Sequence, residues 1–184
     1  MRVVGGIAKG TQLLSVPGDT TRPILDRVKT ALFDILRPNI SGAKVLDLFA
    51  GSGSVGIEAL SQGATTSVFL DIEPKAITII RKNLSATKFT HQGEVRCTDA
   101  FKYIRHTART FDMVYIAPPQ YKGIWVDMLT LISERPEVLS ATGQLVVQID
   151  PKENIKLELV SLVQNDIRTY GNTSLIFYQH RNVL

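Results

Sequence analysis

Hydrophobic and polar residues alternate along this chain in short blocks whose period keeps switching. From residue 45 onward, apolar runs of four to six residues are followed by stretches with helical spacing, the pattern of an α/β sheet with parallel strands. Lys44–Phe49 reads as the first strand and Val55–Gln62 as its helix. Ser67–Asp71 is the second strand, and the helix Pro74–Leu84 starts with proline in its first turn. Glu94–Cys97 is a third strand, followed by a helix through Thr107. The apolar strand Met113–Ile116 ends at Pro118-Pro119, and a helix over Trp125–Glu134 follows. Gln144–Ile149 is the fifth strand, and the spacing predicts a helix over Lys156–Gln164. Ile167–Tyr170 and Ser174–Tyr178 flank Gly171-Asn172 as a hairpin. Upstream, Leu25, Val28, Leu32, Ile35 and Leu36 mark an amphipathic helix over Ile24–Leu36, and Arg2–Gly18 reads as a loose β-hairpin arm.

The total is a seven-stranded, mostly parallel sheet with helices on both faces and an antiparallel last strand. This resembles the Rossmann-like sheet of class I methyltransferases, with a small N-terminal arm added. Functionally the chain divides into a basic extension, 1–40, and a cofactor-binding domain, 41–184. With 184 residues, 44% of them hydrophobic, the chain can bury a substantial core. No apolar run reaches the ~20 residues of a membrane span, and a secretory leader pattern is absent. Cys97 is the only cysteine, so no intrachain disulfide forms, which suits a cytoplasmic protein. His91, His106 and His180 are scattered, without metal-ligand spacing, so no metal is expected.

The glycine loop Asp47-Leu48-Phe49-Ala50-Gly51-Ser52-Gly53-Ser54-Val55-Gly56 carries the first chemical signal. Gly51, Gly53 and Gly56 satisfy the dinucleotide fingerprint G-x-G-x-x-G. Asp47 argues against that reading, because a carboxylate at the strand tip would repel a pyrophosphate bound at the helix N-terminus. It suits a ligand with a cationic amine and no phosphate, namely S-adenosylmethionine. Ligands in open α/β sheets lie beyond the carboxyl ends of the strands, where Asp47, Asp71 and Asp99 all fall. Asp47 would take the amino group of the methionine part. Asp71, with Ile72 beside it, would take the ribose hydroxyls. Asp99 and the Ala100 N–H would meet the adenine edge, and Phe49, Gly51 and Gly53 would line the loop, the two glycines allowing close backbone approach. A nicotinamide oxidoreductase is the rival reading.

The second signal is Ala117-Pro118-Pro119-Gln120-Tyr121 at the tip of the fourth strand. A Pro-Pro pair fixes the backbone and donates no hydrogen bond, leaving the Ala117 and Pro118 carbonyls free to accept. Acceptors on both N–H bonds of an exocyclic base amine steer its lone pair toward a methyl donor, and Tyr121 is suited to stack on an extruded base. Methyltransferases acting on base amines carry a similar Asp/Asn-Pro-Pro-aromatic motif. Here Ala117 replaces the Asp or Asn, and Gln120 pushes the aromatic one place later. Backbone carbonyls, with help from Gln120, are expected to do the accepting. Cytosine-C5 chemistry is set aside, because Cys97 is away from this motif.

The formal charge of +4 is concentrated in residues 1–44, where seven basic side chains face three acidic ones. A basic arm on a neutral domain fits a polyanion partner. Arg2, Lys9, Arg22, Arg27 and Lys29 are the candidate phosphate contacts, although Arg22 could instead brace the cofactor loop. The run Met1–Gly10, then Val16-Pro17, Thr21-Arg22-Pro23, Asp26-Arg27-Val28-Lys29 and Leu32-Phe33, resembles the RsmD-type small-subunit ribosomal RNA guanine-N2 methyltransferases. Glu58–Ala64 and Tyr170–Thr173 are similar to later stretches of that family. The resemblance covers essentially the whole chain. It implies methylation of a guanine N2 amine in 16S ribosomal RNA, within an assembling or assembled small subunit; a monomer is expected. Two alternatives are a catalytically silent RNA-binding module, motivated by Ala117, and an adenine-N6 methyltransferase.

Overall fold

In the computed structural model, which describes residues 1–18 and 24–181, one seven-stranded sheet has the order β3-β2-β1-β4-β5-β7-β6. The strands are β1 (Lys44–Asp47), β2 (Thr66–Asp71), β3 (Gly93–Cys97), β4 (Phe111–Ile116), β5 (Leu139–Ile149), β6 (Leu162–Tyr170) and β7 (Thr173–His180). The first five pair in parallel, and β7 lies antiparallel between β5 and β6. The helices are α1 (Asp26–Ile40), α2 (Ser54–Ser61), α3 (Pro74–Ala86), α4 (Ala100–His106) and α5 (Ile124–Ser133).

Both sheet faces are covered, which is why β1, β2 and β4 are apolar almost throughout instead of alternating. Val28, Leu32, Ile57 and Ile80 from α1, α2 and α3 pack with Val45, Phe69, Met113 and Val146. On the other face Ile104, Met128 and Leu129 from α4 and α5 pack with Leu46, Val68, Val114 and Val147. The chain leaves β1 in one direction for β2 and returns on its other side as β4. A crevice therefore opens between the tips of β1 and β4, the switch point where ligands bind in such sheets.

Two expected elements differ. The helix predicted over Lys156–Gln164 is absent: residues 154–160 are irregular and the chain then enters β6. Leu157 and Leu159 turn toward the protein while Lys156, Glu158 and Val160 face outward. That is a period of two, which an extended chain satisfies and a helix does not. The amphipathic helix runs on past Pro38 to Ile40. Pro38 sits on the exposed side, where the hydrogen bond it cannot make costs least, and buried Ile40 anchors the last turn.

The arm is held firmly. Arg2 and Gln12 form an antiparallel bridge, and buried Val3 and Leu13 join the core beneath α1. The Glu58 carboxylate on α2 accepts from the N–H groups of Val4 (2.9 Å) and Gly5 (2.7 Å). Gly6 has φ +73°, and a Cβ there would lie 1.8 Å from the Ser61 carbonyl oxygen, so the turn requires glycine. Asn83 on α3 exchanges hydrogen bonds with the Leu14 backbone and also donates to the Ser52 carbonyl (2.9 Å), tying the arm to the glycine loop.

Candidate active site

Asp47 ends β1 and is buried, at 1% exposure. The Gly56 and Phe49 N–H groups support its carboxylate, yet burial outweighs them and pushes its pKa from 3.8 up to about 7. Its Oδ1 has no hydrogen-bond partner and is shut off from bulk water. Such an oxygen costs stability unless something donates to it. Asp47 lines a cavity with Ala50, Ser54, Tyr115, Ala117 and Gln148, roofed by Met1, Val16 and Ile24. A donor that enters this cavity and carries positive charge would both satisfy Oδ1 and offset its burial. A phosphate would do neither.

Val16, Phe49 and Gly51 also line a second cavity of about 380 Å³ at the tips of β2 and β3. Leu48, Ile72, Phe101 and Ile124 supply its apolar walls, and Asp71, Asp99 and Ala100 its polar edge. This mixture suits a flat heterocycle with a polar sugar. Asp71 accepts from the Gly51 and Glu73 N–H groups, both at 2.9 Å, one on each oxygen. Each oxygen keeps a lone pair for a ligand hydroxyl. Partial burial raises the Asp71 pKa. Asp99 caps α4 by accepting from the Lys102 N–H at 2.8 Å.

The structure brings together Asp47, Phe49, Gly51, Asp71, Ile72, Asp99 and Ala100, as the strand-tip argument expects. Gly53 is an exception. It is the left-handed N-cap of α2 (φ +78°), and a Cβ there would approach Ile80 and Phe69 of the core, so its function is to turn the chain. Gly51, also at positive φ, has open space where its Cβ would project and lines both cavities.

The proline segment joins the two cavities. Ala117 lines the first and Pro119 the second, with Pro118 buried behind them. Gln120 is half-buried, and Tyr121 stands 64% exposed just beyond the opening. Tyr121 has φ +60°, uncommon for a side-chain-bearing residue. Its N–H donates to Glu153 Oε1 at 2.8 Å, and Glu153 is itself fixed in a capping box with Asp150.

Two lining residues escape the motif reading, Tyr115 and Gln148. The Tyr115 hydroxyl donates to Gln148 Oε1 at 2.5 Å. The clue to Gln148 is a polar residue at the tip of the apolar strand Leu145-Val146-Val147. Tyr115 carries no such sign, since aromatic residues are common in buried strands.

Among the basic candidates, Arg2, Lys9 and Arg27 are exposed and line a surface groove with Thr30. Arg2 also pairs with Asp26 at 3.3 Å. Lys29 is a correction: it is completely buried and cannot reach a phosphate. Its ammonium pairs with Glu58 (3.4 Å) and donates to the Arg2 carbonyl (2.7 Å) and Ser54 Oγ (2.8 Å). It locks the arm to the start of α2. Desolvation lowers its pKa, partly offset by Glu58. Arg22 lies outside the described residues.

The family described as Conserved hypothetical protein 95 matches residues 1–179. The Bacillus subtilis protein YlbH, named provisionally as an rRNA methyltransferase, is 35% identical over 184 residues, spanning 98% of this chain and all of that one. The ribosomal RNA small subunit methyltransferase D of Haemophilus influenzae is 33% identical over 137 residues, 73% of this chain and 71% of that one. The chain belongs to the RsmD family of methyltransferases. In structure this RsmD-family member matches the Escherichia coli methyltransferase candidate yhhF with a TM-score of 0.87 at 26% identity, over 98% of this chain and 97% of that one. Membership gives the two cavities a common context: they flank the glycine loop at the switch point of a methyltransferase sheet.

Proposed function

We propose that this protein transfers a methyl group from S-adenosylmethionine to the exocyclic N2 amine of a guanine in small-subunit ribosomal RNA. The observation that carries the reading is buried Asp47, with an unpartnered Oδ1, in the wall of a cavity that Ala117 of the proline platform also lines. The nicotinamide alternative would put a pyrophosphate where this carboxylate stands.

S-adenosylmethionine supplies an electrophilic methyl group on a sulfonium. Asp47 receives the ammonium of its methionine part, and the positive charge draws the carboxyl toward its ionised form. Asp71 receives the ribose hydroxyls, while Asp99 and Ala100 meet the adenine edge. The carbonyls of Ala117 and Pro118 accept from the substrate amine, and Tyr121 stacks on the extruded base. The amine nitrogen forms the new N–C bond, the C–S pair returns to sulfur, and the surplus N–H proton leaves to water. No strong base is needed, because a methylated ring amine with an extra proton is acidic.

Arg2, Lys9 and Arg27 contribute phosphate contacts that set register without reading sequence. On this reading 1–40 is an RNA-binding extension by function, even though its apolar residues share the core of 41–184. The substrate is the RNA within a ribosomal particle, and the protein acts as a cytoplasmic monomer. Among the described residues no helix is long and apolar enough to cross a membrane.

Two experiments test this together. Calorimetry should show binding of S-adenosylmethionine and none of NADH. Labelled methyl groups should appear in small subunits and, if the particle matters, less in naked ribosomal RNA. Tight cofactor binding without any label would favour the silent RNA-binding module that Ala117 motivates.

A further inference from the structure

Position 117 lacks the side-chain acceptor that the Asp/Asn-Pro-Pro pattern carries, and the geometry around it supplies one from elsewhere. Tyr115 stands two residues before Ala117, on the same side of the β4 strand line, and both line the cavity that holds Asp47. In the sheet, Asp47 pairs with Tyr115, and Ile116 pairs with Val147, so that Gln148 follows beside Ala117. Asp47 and Tyr115 thus stand level at the tips of β1 and β4, with Gln148 two residues further along β5 than their partner Val146, all on one face of the sheet. Val45, Met113 and Val146 lie behind them in the apolar core.

We propose that the Tyr115 hydroxyl, oriented by Gln148, takes the place of the Ala117 carbonyl as acceptor for one N–H of the substrate amine, the Pro118 carbonyl keeping the other. The assignment rests on the reading that a base amine is methylated in this cavity. A phenol has one proton and two acceptor lone pairs. Here the proton is committed to Gln148 Oε1 at 2.5 Å, so the oxygen presents acceptor character to its surroundings. Donating that proton also makes the oxygen a better acceptor, because hydrogen bonds in a chain polarise one another. Reach is consistent. Tyr115 and Ala117 line the same cavity, so the hydroxyl and position 117 border one space. Burial and the neighbouring Asp47 charge both raise the Tyr115 pKa well above its ordinary value. The group therefore stays neutral: it accepts a hydrogen bond from the amine and takes no proton from it. The proton released on methylation still leaves to water. Gln148 is a positioning residue, acting through the phenol.

The test is single-turnover methyl transfer alongside calorimetry of S-adenosylmethionine. Tyr115→Phe should lower the transfer rate by about 10–100-fold, the size of one hydrogen bond to a group gaining charge, with cofactor Kd unchanged. Adding Ala117→Asp to Tyr115→Phe should recover most of that loss. Gln148→Leu, which removes the oxygen that takes the phenol proton, should fall toward Tyr115→Phe. A Tyr115→Phe enzyme with wild-type rate overturns the assignment, as does a loss explained wholly by weaker cofactor binding. So does a wild type that transfers no methyl until Ala117→Asp is introduced, an outcome that leaves the guanine reading standing. Conversely, a wild type that methylates adenine and still loses rate with Tyr115→Phe keeps the acceptor and removes guanine.

Discussion

The two ends of the strand-tip row are built by different rules. At β1 and β2, the site is one continuous stretch: Asp47, the glycine loop and Asp71 fall within 25 residues, and the Asp71 carboxylate itself braces the Gly51 N–H. At β4 and β5 it is assembled from separate segments, with Tyr115 held by Gln148, 33 positions later, and Tyr121 held by Glu153, 32 later. A local motif must keep its residues in place, because they also build the turn. An assembled site can relocate a function to a neighbour that reaches the same space. The glycine loop matches its fingerprint throughout, while the proline platform has alanine at its first position.

If the cofactor end is the more rigid, disturbing its anchor should do the greatest damage. Lys29→Met removes the cation facing buried Glu58, leaving it only the Val4, Gly5 and Gln62 donors, and is expected to cost about 3–5 kcal/mol, read as a large drop in the denaturation midpoint. Loss of less than about 1 kcal/mol would show that the arm is not held by this pair. Next, Asp47→Asn should weaken S-adenosylmethionine about 10²–10³-fold, the usual cost of removing one partner of a buried charged pair, while RNA binding holds. Tyr121→Ala should do the reverse. Losing a stacked base costs about 1–3 kcal/mol, so RNA binding and turnover fall by about 5–150-fold with cofactor Kd unchanged. An unaffected enzyme would remove the stacking role. The smallest change is expected for Arg27→Ala: a few-fold weaker RNA binding and a salt dependence shallower by about one charge, with no loss of stability.

pH separates the two ends as well. The Asp47 carboxyl titrates near 7 in the folded protein and at 3.8 ordinarily. Its charged form binds the ammonium, so cofactor affinity should fall as pH drops below about 7. For the cofactor-free protein the sign is opposite. A carboxyl whose folded pKa is raised contributes stability below its unfolded value, and that contribution is lost as pH rises through about 7. Asp47→Asn should therefore flatten the pH dependence of stability while it abolishes that of cofactor binding. A variant that retains both profiles would assign the titration to another group.

What was legible in the sequence follows the same division. Strand periodicity and the strand-tip aspartates located the crevice and the residues around it, because they are consequences of local pattern. Gly53 reads as a ligand-loop glycine, whereas its positive φ serves the turn and its Cβ would meet Ile80 and Phe69 of the core. The expected helix at Lys156–Gln164 fell to a period of two that Leu157 and Leu159 already carried. Lys29 reads as one more cation of a basic segment, since nothing local reveals that Glu58 waits for it on another helix. Tyr115 is hidden for a related reason: its partner Gln148 lies on a different strand.

The central claim is the identity of the methylated group, and nucleoside analysis tests it most directly. Small subunits lacking the modification would be incubated with the protein and labelled S-adenosylmethionine, digested to nucleosides, and resolved by mass spectrometry. The account predicts a single labelled product, N2-methylguanosine, from the RNA of the small subunit. Label in N6-methyladenosine, or none while the cofactor still binds, would contradict it.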